Sequence, residues 1–223
     1  MPLPLMPAAV VFDMDGLLFD TEALYEEAIL VAARETGHDL NPALFRHMLG
    51  GVWLKNRTLL LDHFGDAFPV DELRAAWIRH FEVMAETRLT LKPGAAELLD
   101  TLDALRLPRA IATSSCHRHV HHHLAAHGLA GRFDAIVANG DYAAGKPAPD
   151  PFLKAAKLLD AEPAFCLALE DSFNGVRSAS AAGMMTVMVP DLLEPTDEIR
   201  SLCTGVHADL SAVSHLITAA ARA

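Results

Sequence analysis

Two aspartates stand two positions apart in VFDMDGLLFDTE, Asp13 and Asp15, where an apolar run ends in a glycine. Side chains alternate along a strand, so both carboxylates fall on one side of the chain. Neighbouring carboxylates repel unless a cation sits between them, and Mg²⁺ binds through a few carboxylates plus phosphate oxygens. Three later segments carry matching chemistry. In AIATSSCH a run ends in the hydroxyls of Thr113, Ser114 and Ser115 before a helical pattern, where N–H groups and hydroxyls can hold an anion. GKPAPDP fixes Lys146 between a glycine and a proline, a point cation for a phosphate or for the aspartates. LALEDSFNG ends another apolar run in Glu170 and Asp171. Each has a plain structural use as a turn residue, a cap or a surface charge. Their recurrence in order, at strand ends of one sheet, is what such uses leave unexplained.

These segments need elements to hold them. Runs at Ala9–Asp13, Arg109–Thr113, Ala135–Ala138, Cys166–Glu170 and Thr186–Val189, and a weaker one at Val206–Ala208, have strand character. Helical patterns lie between them, among them Ala95–Leu105, Asp150–Leu159 with Asp150 as N-cap, and Asn174–Gly183 closing on a glycine. Alternating strands and helices predict an α/β fold with a Rossmann-like parallel sheet. Ligands of such sheets sit at the carboxyl ends of the strands. One region breaks the alternation: Ala23–Thr36, Pro42–Leu49, Leu54–Phe64 and Asp71–Thr87 all carry helical spacing. The expected organisation is an α/β core at residues 1–20 and 90–223, with a helical insertion at 21–89.

Composition narrows the function. The 223 residues are 52% apolar with a net charge of −11, the wrong sign for a nucleic-acid surface. Three dispersed cysteines without metal-site spacing suit a reducing compartment. The N-terminus lacks a basic segment ahead of its apolar stretch, and the longest run free of charge or histidine, Ser178 to Pro190, is shorter than the roughly 18 residues a span needs. The expectation is a soluble, cytoplasmic protein with no membrane or nucleic-acid partner.

DMDGLLFDT, the strand ending in Thr113, Lys146 in GKPAPDP and Glu170-Asp171-Ser172 together resemble the four ordered motifs of the haloacid dehalogenase-like superfamily. Within it the chain is similar to the β-phosphoglucomutase-like phosphatases, and the likeness runs over nearly the whole chain. The resemblance implies that the insertion is a cap domain. It implies Asp13 as nucleophile, forming an aspartyl-phosphate, and Asp15 as general acid and then base. It implies Mg²⁺ held by the Asp13 carboxylate, the Asp15 main-chain carbonyl and Asp171, with Glu170 behind them. Thr113, the Ser114 amide and Lys146 are implied to grip the phosphoryl oxygens of a small phosphorylated metabolite. Glu22, Lys55 and Arg57 are the insertion's candidate substrate contacts, with Arg79 and His80 as further polar residues. A monomer is expected, with a dimer as the alternative.

The rival reading is a sugar-phosphate mutase of the β-phosphoglucomutase type, which carries a histidine where Tyr25 stands and lacks an acid where Glu22 stands. A dehalogenase would lack Asp15. From another class, a receiver-like phospho-acceptor shares the acidic pocket, a hydroxyl and a lysine. Its lysine follows the other motifs, whereas Lys146 precedes Glu170, and it has no long helical insertion. The tract CHRHVHHHLAAH reads as a solvated helix face rather than a metal site, Cys116 as a small buried filler, and Trp53 and Trp77 as core.

Overall fold

The computed structural model describes residues 2–49 and 53–222. In chain order the elements are β1 (Ala9–Phe12), α1 (Thr21–Glu35), α2 (Pro42–Met48), α3 (Trp53–Phe64), α4 (Val70–Arg88), α5 (Ala95–Leu105), β2 (Arg109–Ala112), α6 (His117–Ala126), β3 (Ala135–Val137) and α7 (Asp150–Leu158). There follow β4 (Cys166–Glu170), α8 (Phe173–Ala181), β5 (Met185–Met188), α9 (Asp197–Leu202), β6 (Gly205–Val206) and α10 (Leu210–Ala220). The chain divides into two compact units, one of residues 1–19 and 91–223, the other Asp20–Thr90.

The first unit is α/β and Rossmann-like. Among the described residues its six strands form one parallel sheet in the order β3-β2-β1-β4-β5-β6. AVVF of β1 and CLALE of β4 are buried along their whole length, as befits strands covered on both faces. Ala155 and Phe152 of α7 pack with Val11, Ala112 and Ala168 in one apolar cluster. The order reverses between β1 and β4: the chain builds outward through β2 and β3, then returns to the other side of β1. Crevices at such reversals, beyond the strands' carboxyl ends, are where ligands lodge.

Local chemistry explains the boundaries. Helix α8 starts at Ser172, whose hydroxyl accepts the Gly175 N–H, and ends before Gly183 in the left-handed region at φ 78°. Helix α7 departs from expectation by one residue. Pro149 already has helical angles, so Asp150 is the first helical residue instead of the N-cap, and its carboxylate accepts the Ala144 N–H at 3.3 Å.

The second unit is helical. Ile29, Ala32, Phe45, Met48, Leu60 and Leu73 supply much of a continuous apolar core drawn from α1 to α4. Trp53 and Trp77 pack against it partly buried, and the Trp77 indole donates to the Tyr25 carbonyl at 2.9 Å. Among the described residues no helix is long and apolar enough to cross a membrane.

Candidate active site

Strand β1 stops at Phe12, but Asp13 stays in the ladder through its N–H, which donates to the Leu169 carbonyl of β4 at 2.9 Å. Gly16 then turns the chain at φ 84°, a conformation that favours glycine, and its N–H closes on the Phe19 carbonyl at 2.9 Å. This turn holds Asp13 and Asp15 at the mouth of the β1–β4 crevice. Strand β4 delivers Glu170 and Asp171 beside them. Oxygen atoms of Asp13, Glu170 and Asp171, all buried, lie within 4.8 Å of one another.

Lys146 is the counter-charge. Its ammonium, nearly fully buried, contacts the Asp13 carboxylate, lies 2.5 Å from Glu170 Oε1 and stands 5.1 Å from the centre of the Phe152 ring. Burial alone would depress the ammonium, but Asp13 and Glu170 override it and hold its pKa above the ordinary value. Glu170 is fixed on its other side, where Oε2 accepts from the Asp171 N–H at 3.1 Å, the Ser172 N–H at 3.2 Å and the Ser172 hydroxyl at 3.1 Å.

Strand β2 brings the hydroxyls. Thr113 is buried and its N–H continues the sheet to the Val137 carbonyl; its hydroxyl accepts the Ser115 N–H at 3.0 Å and faces Asp15 Oδ2 at 3.4 Å. Ser115 Oγ donates to the same Asp15 oxygen at 2.6 Å. Ser114 is exposed, and the Tyr142 hydroxyl donates to the Thr113 carbonyl at 3.1 Å.

Three buried carboxylates against one ammonium leave an excess of negative charge. Burial pushes Asp13 up to about 8; Lys146 pulls it down, while Glu170 and Asp15 raise it. Burial also raises Asp15, opposed by the Ser115 hydrogen bond and by the charges of Lys146 and His119. A divalent cation would relieve this excess, and a donor set made wholly of carboxylate oxygens suits a hard ion such as Mg²⁺. The residues present therefore fit the metal.

The structure thus brings Asp13, Asp15, Thr113, Lys146, Glu170 and Asp171 together, with Ser114 at the rim. Glu22, Lys55 and Arg57 belong to the helical unit, where Lys55 is exposed and Arg57 half-buried on α3. Arg79 and His80 are engaged with Glu35, each at 2.6 Å. Sequence reasoning left Ser115, Ser172, Gly175 and Phe152 without roles. Ser115 was legible as one of three hydroxyls, and Ser172 as a cap beside the acidic pair. Phe152 gave no signal, because a core aromatic at helical spacing looks the same whether or not a lysine lies over it.

Two expectations need correction. Helix α6 is not solvated all round: His123 is buried with Val120 and Leu124, its ring 5.7 Å from that of Phe19, because one face of the helix must close on the core. Cys116 is half-buried, not buried, since it occupies the N-cap position where the chain emerges from the sheet.

A family model for haloacid dehalogenase-like hydrolases matches residues 7–183, well over half of the chain. The chain belongs to the haloacid dehalogenase-like hydrolases. A phosphorylated carbohydrates phosphatase of Thermotoga maritima is 30% identical over 176 residues, spanning 79% of this chain and 82% of the relative. Among solved structures, CbbY from Rhodobacter sphaeroides in complex with phosphate has a TM-score of 0.77 at 27% identity, over 93% of this chain and 96% of that one. A provisionally assigned β-phosphoglucomutase from Thermotoga maritima has a TM-score of 0.79 at 25% identity, over 95% and 98%. The hydrolase family and the buried acidic cluster at the sheet's reversal point to one place on the molecule.

Proposed function

We propose that the protein is a Mg²⁺-dependent phosphatase that hydrolyses a small phosphorylated metabolite, a sugar phosphate or similar phosphomonoester, through an aspartyl-phosphate on Asp13. The observation that carries this reading is Lys146, whose buried ammonium bridges Asp13 and Glu170 beside a second aspartate.

Phosphoryl transfer is mainly positioning and charge neutralisation. An Asp13 oxygen attacks phosphorus and the ester P–O bond breaks, while Asp15 gives its proton to the departing alkoxide. Its raised pKa suits it to carry that proton. Asp15, now ionised, takes a proton from water as the water oxygen attacks phosphorus and the Asp13 O–P bond breaks, freeing phosphate, restoring the Asp13 carboxylate and returning Asp15 to its acid form. Ser115 and Thr113 hold the Asp15 carboxylate in one rotamer for both steps. Lys146 and the Thr113–Ser114 segment bind phosphoryl oxygens. Mg²⁺, held by the Asp13 and Asp171 carboxylates and the Asp15 main-chain carbonyl, would neutralise charge on the phosphoryl group. Choice of substrate is assigned to the helical unit, with Glu22 among its polar groups.

The test is phosphate release from a panel of small phosphomonoesters with Mg²⁺. Turnover of at least one member that is lost in Asp13→Asn is the expected result, and release from none of them overturns the reading.

A further inference from the structure

Tyr142 lies on the loop between β3 and α7 that also carries Lys146, and its hydroxyl donates to the Thr113 carbonyl at 3.1 Å. That carbonyl is open to a side chain because the sheet passes it by. The Thr113 N–H donates to the Val137 carbonyl at 3.0 Å, so the next rung of a parallel ladder would bring the Asn139 N–H to the Thr113 carbonyl. Instead the Asn139 N–H goes to the Ser115 carbonyl at 2.9 Å. Among the described residues the Tyr142 hydroxyl is the donor that takes its place.

The phenol is well held for this. Asp141 beside it closes a turn, donating its N–H to the Ala138 carbonyl at 3.0 Å and accepting the Ala138 N–H on its carboxylate at 2.9 Å. The Tyr142 ring packs half-buried against the apolar cluster that contains Val137 and Phe152. Burial raises the phenol's pKa, so the hydroxyl keeps the proton that it donates.

A peptide unit is planar and trans, so its C=O and N–H point opposite ways. The unit that Tyr142 holds by its carbonyl carries the N–H of Ser114. The neighbouring N–H groups are committed, Thr113 to Val137 and Ser115 to the Thr113 hydroxyl, whereas among the described residues nothing accepts the Ser114 N–H. It stands between two residues, Thr113 and Ser115, whose hydroxyls both reach Asp15. Turned over, the same peptide would offer an anion its carbonyl oxygen in place of a donor. A donor fixed beforehand costs no reorganisation when charge develops on its partner.

We propose that Tyr142 is a positioning residue, whose hydroxyl holds the Thr113–Ser114 peptide so that the Ser114 N–H is presented to a bound phosphoryl oxygen. Naming the anion a phosphoryl group rests on the phosphatase reading; the held peptide does not.

The experiment adds inorganic phosphate, with Mg²⁺ present, to the wild-type protein and to Tyr142→Phe, which keeps the ring and loses the hydroxyl. ¹H–¹⁵N NMR follows the Ser114 amide. In the wild type that amide proton should move downfield as phosphate saturates. Tyr142→Phe, checked for folding by its unfolding temperature, should bind phosphate about tenfold more weakly, with its Mg²⁺ affinity in the absence of phosphate unchanged. A folded Ser114→Pro, which has no N–H at that position, should weaken phosphate at least as much, and adding Tyr142→Phe to it should weaken it no further. In Tyr142→Phe, kcat/KM for a hydrolysed ester should fall about tenfold with the shape of the pH profile kept, because the phenol orients and transfers no proton. Phosphate binding needs no turnover, so a panel in which no ester is hydrolysed sinks the phosphatase reading while the NMR still decides this one. Equal phosphate affinity in Tyr142→Phe, a Ser114 signal indifferent to bound phosphate, or additive losses in the double variant overturns the proposal. So does a loss of Mg²⁺ affinity as large as that of phosphate, or a wild type that binds no phosphate.

Discussion

A Cβ on Gly175 would fall inside the carboxylate of Glu170. Glu170 cannot swing away, because Lys146 holds one oxygen and the Asp171 and Ser172 N–H groups with the Ser172 hydroxyl hold the other. The first turn of α8 thus keeps the site's lysine in place through an intermediary. Gly175→Ala should cost about 1–3 kcal/mol of stability by overpacking. It should also lower kcat by at least about tenfold, or about 1.4 kcal/mol of barrier, by displacing Lys146. Thermal unfolding and phosphate release read the two effects, and normal activity in the folded variant would show that Glu170 does not position Lys146.

Asp13→Asn replaces the carboxylate with an amide of nearly the same shape that cannot attack phosphorus. The N–H that extends the β1–β4 ladder is untouched, so the fold should survive. Turnover should fall by at least about a thousandfold, the scale on which loss of a nucleophile is felt. Near-normal phosphate release from the purified variant would falsify the nucleophile assignment.

The acidic cluster predicts dependence on a divalent ion. Chelation should abolish activity and Mg²⁺ should restore it. Asp171→Ala should weaken Mg²⁺ binding measured by calorimetry while Asp13 and Asp15 remain. Full activity in excess EDTA sinks the metal reading, and so does a Zn²⁺ ion on the α6 histidines that proves necessary for turnover.

The sheet could be read from sequence because strands buried on both faces, such as Ala9–Phe12 and Cys166–Glu170, are short apolar runs ended by residues that strands avoid. The reactive aspartates were readable for the same reason, since an aspartate at the end of such a run has few structural uses, and Lys146 stood out by its place between a glycine and a proline. Partners that act through another residue were not. Ser115, which carries the 2.6 Å bond to Asp15, differs in nothing local from exposed Ser114. Asn56, buried with its amide nitrogen on the Met48 carbonyl, was hidden for another reason: one amide on an amphipathic helix reads as surface until the helices pack.

His123 gives the protein a built-in acid sensitivity. Burial, and then the charges of His122, His119 and His127, lower its pKa to about 4. The unfolded chain takes up this proton near 6.5 and the folded chain near 4, so the unfolded state binds more protons between those values. Stability from this group is therefore complete above pH 6.5 and declines as pH falls toward 4, by up to about 3 kcal/mol at about 1.4 kcal/mol per pH unit. His123→Leu should flatten that part of the stability profile. Urea unfolding at pH 7 and pH 5 checks it: an equal loss in wild type and variant would remove His123 from the explanation.

Hydrolysis and mutase chemistry begin with the same aspartyl-phosphate and separate at its fate. A mutase must keep water away until its bisphosphate intermediate has turned over, and it needs a second anion site for the phosphate that is not reacting. Among its described residues the helical unit gives little support for such a site. Lys55 is exposed, Arg57 is half-buried, and neither is among the described residues that line the helical unit's cleft between Tyr25, Phe45 and Trp77. Tyr25 stands at the position of the mutase histidine, and its ring stacks on Phe81 at 3.8 Å between centroids and 8° between planes, with Trp77 edge-on at 5.8 Å. A phenol cannot take an imidazole's part in proton transfer near neutral pH, because phenols ordinarily titrate near 10 and imidazoles near 6.5. Asp15, by contrast, is held by two hydroxyls and can deprotonate a water once it has lost its first proton. With a sugar monophosphate in ¹⁸O-water the label should therefore appear in free phosphate at the rate of turnover. Rapid interconversion of glucose 1-phosphate and glucose 6-phosphate, with little phosphate released, would instead make the protein a mutase.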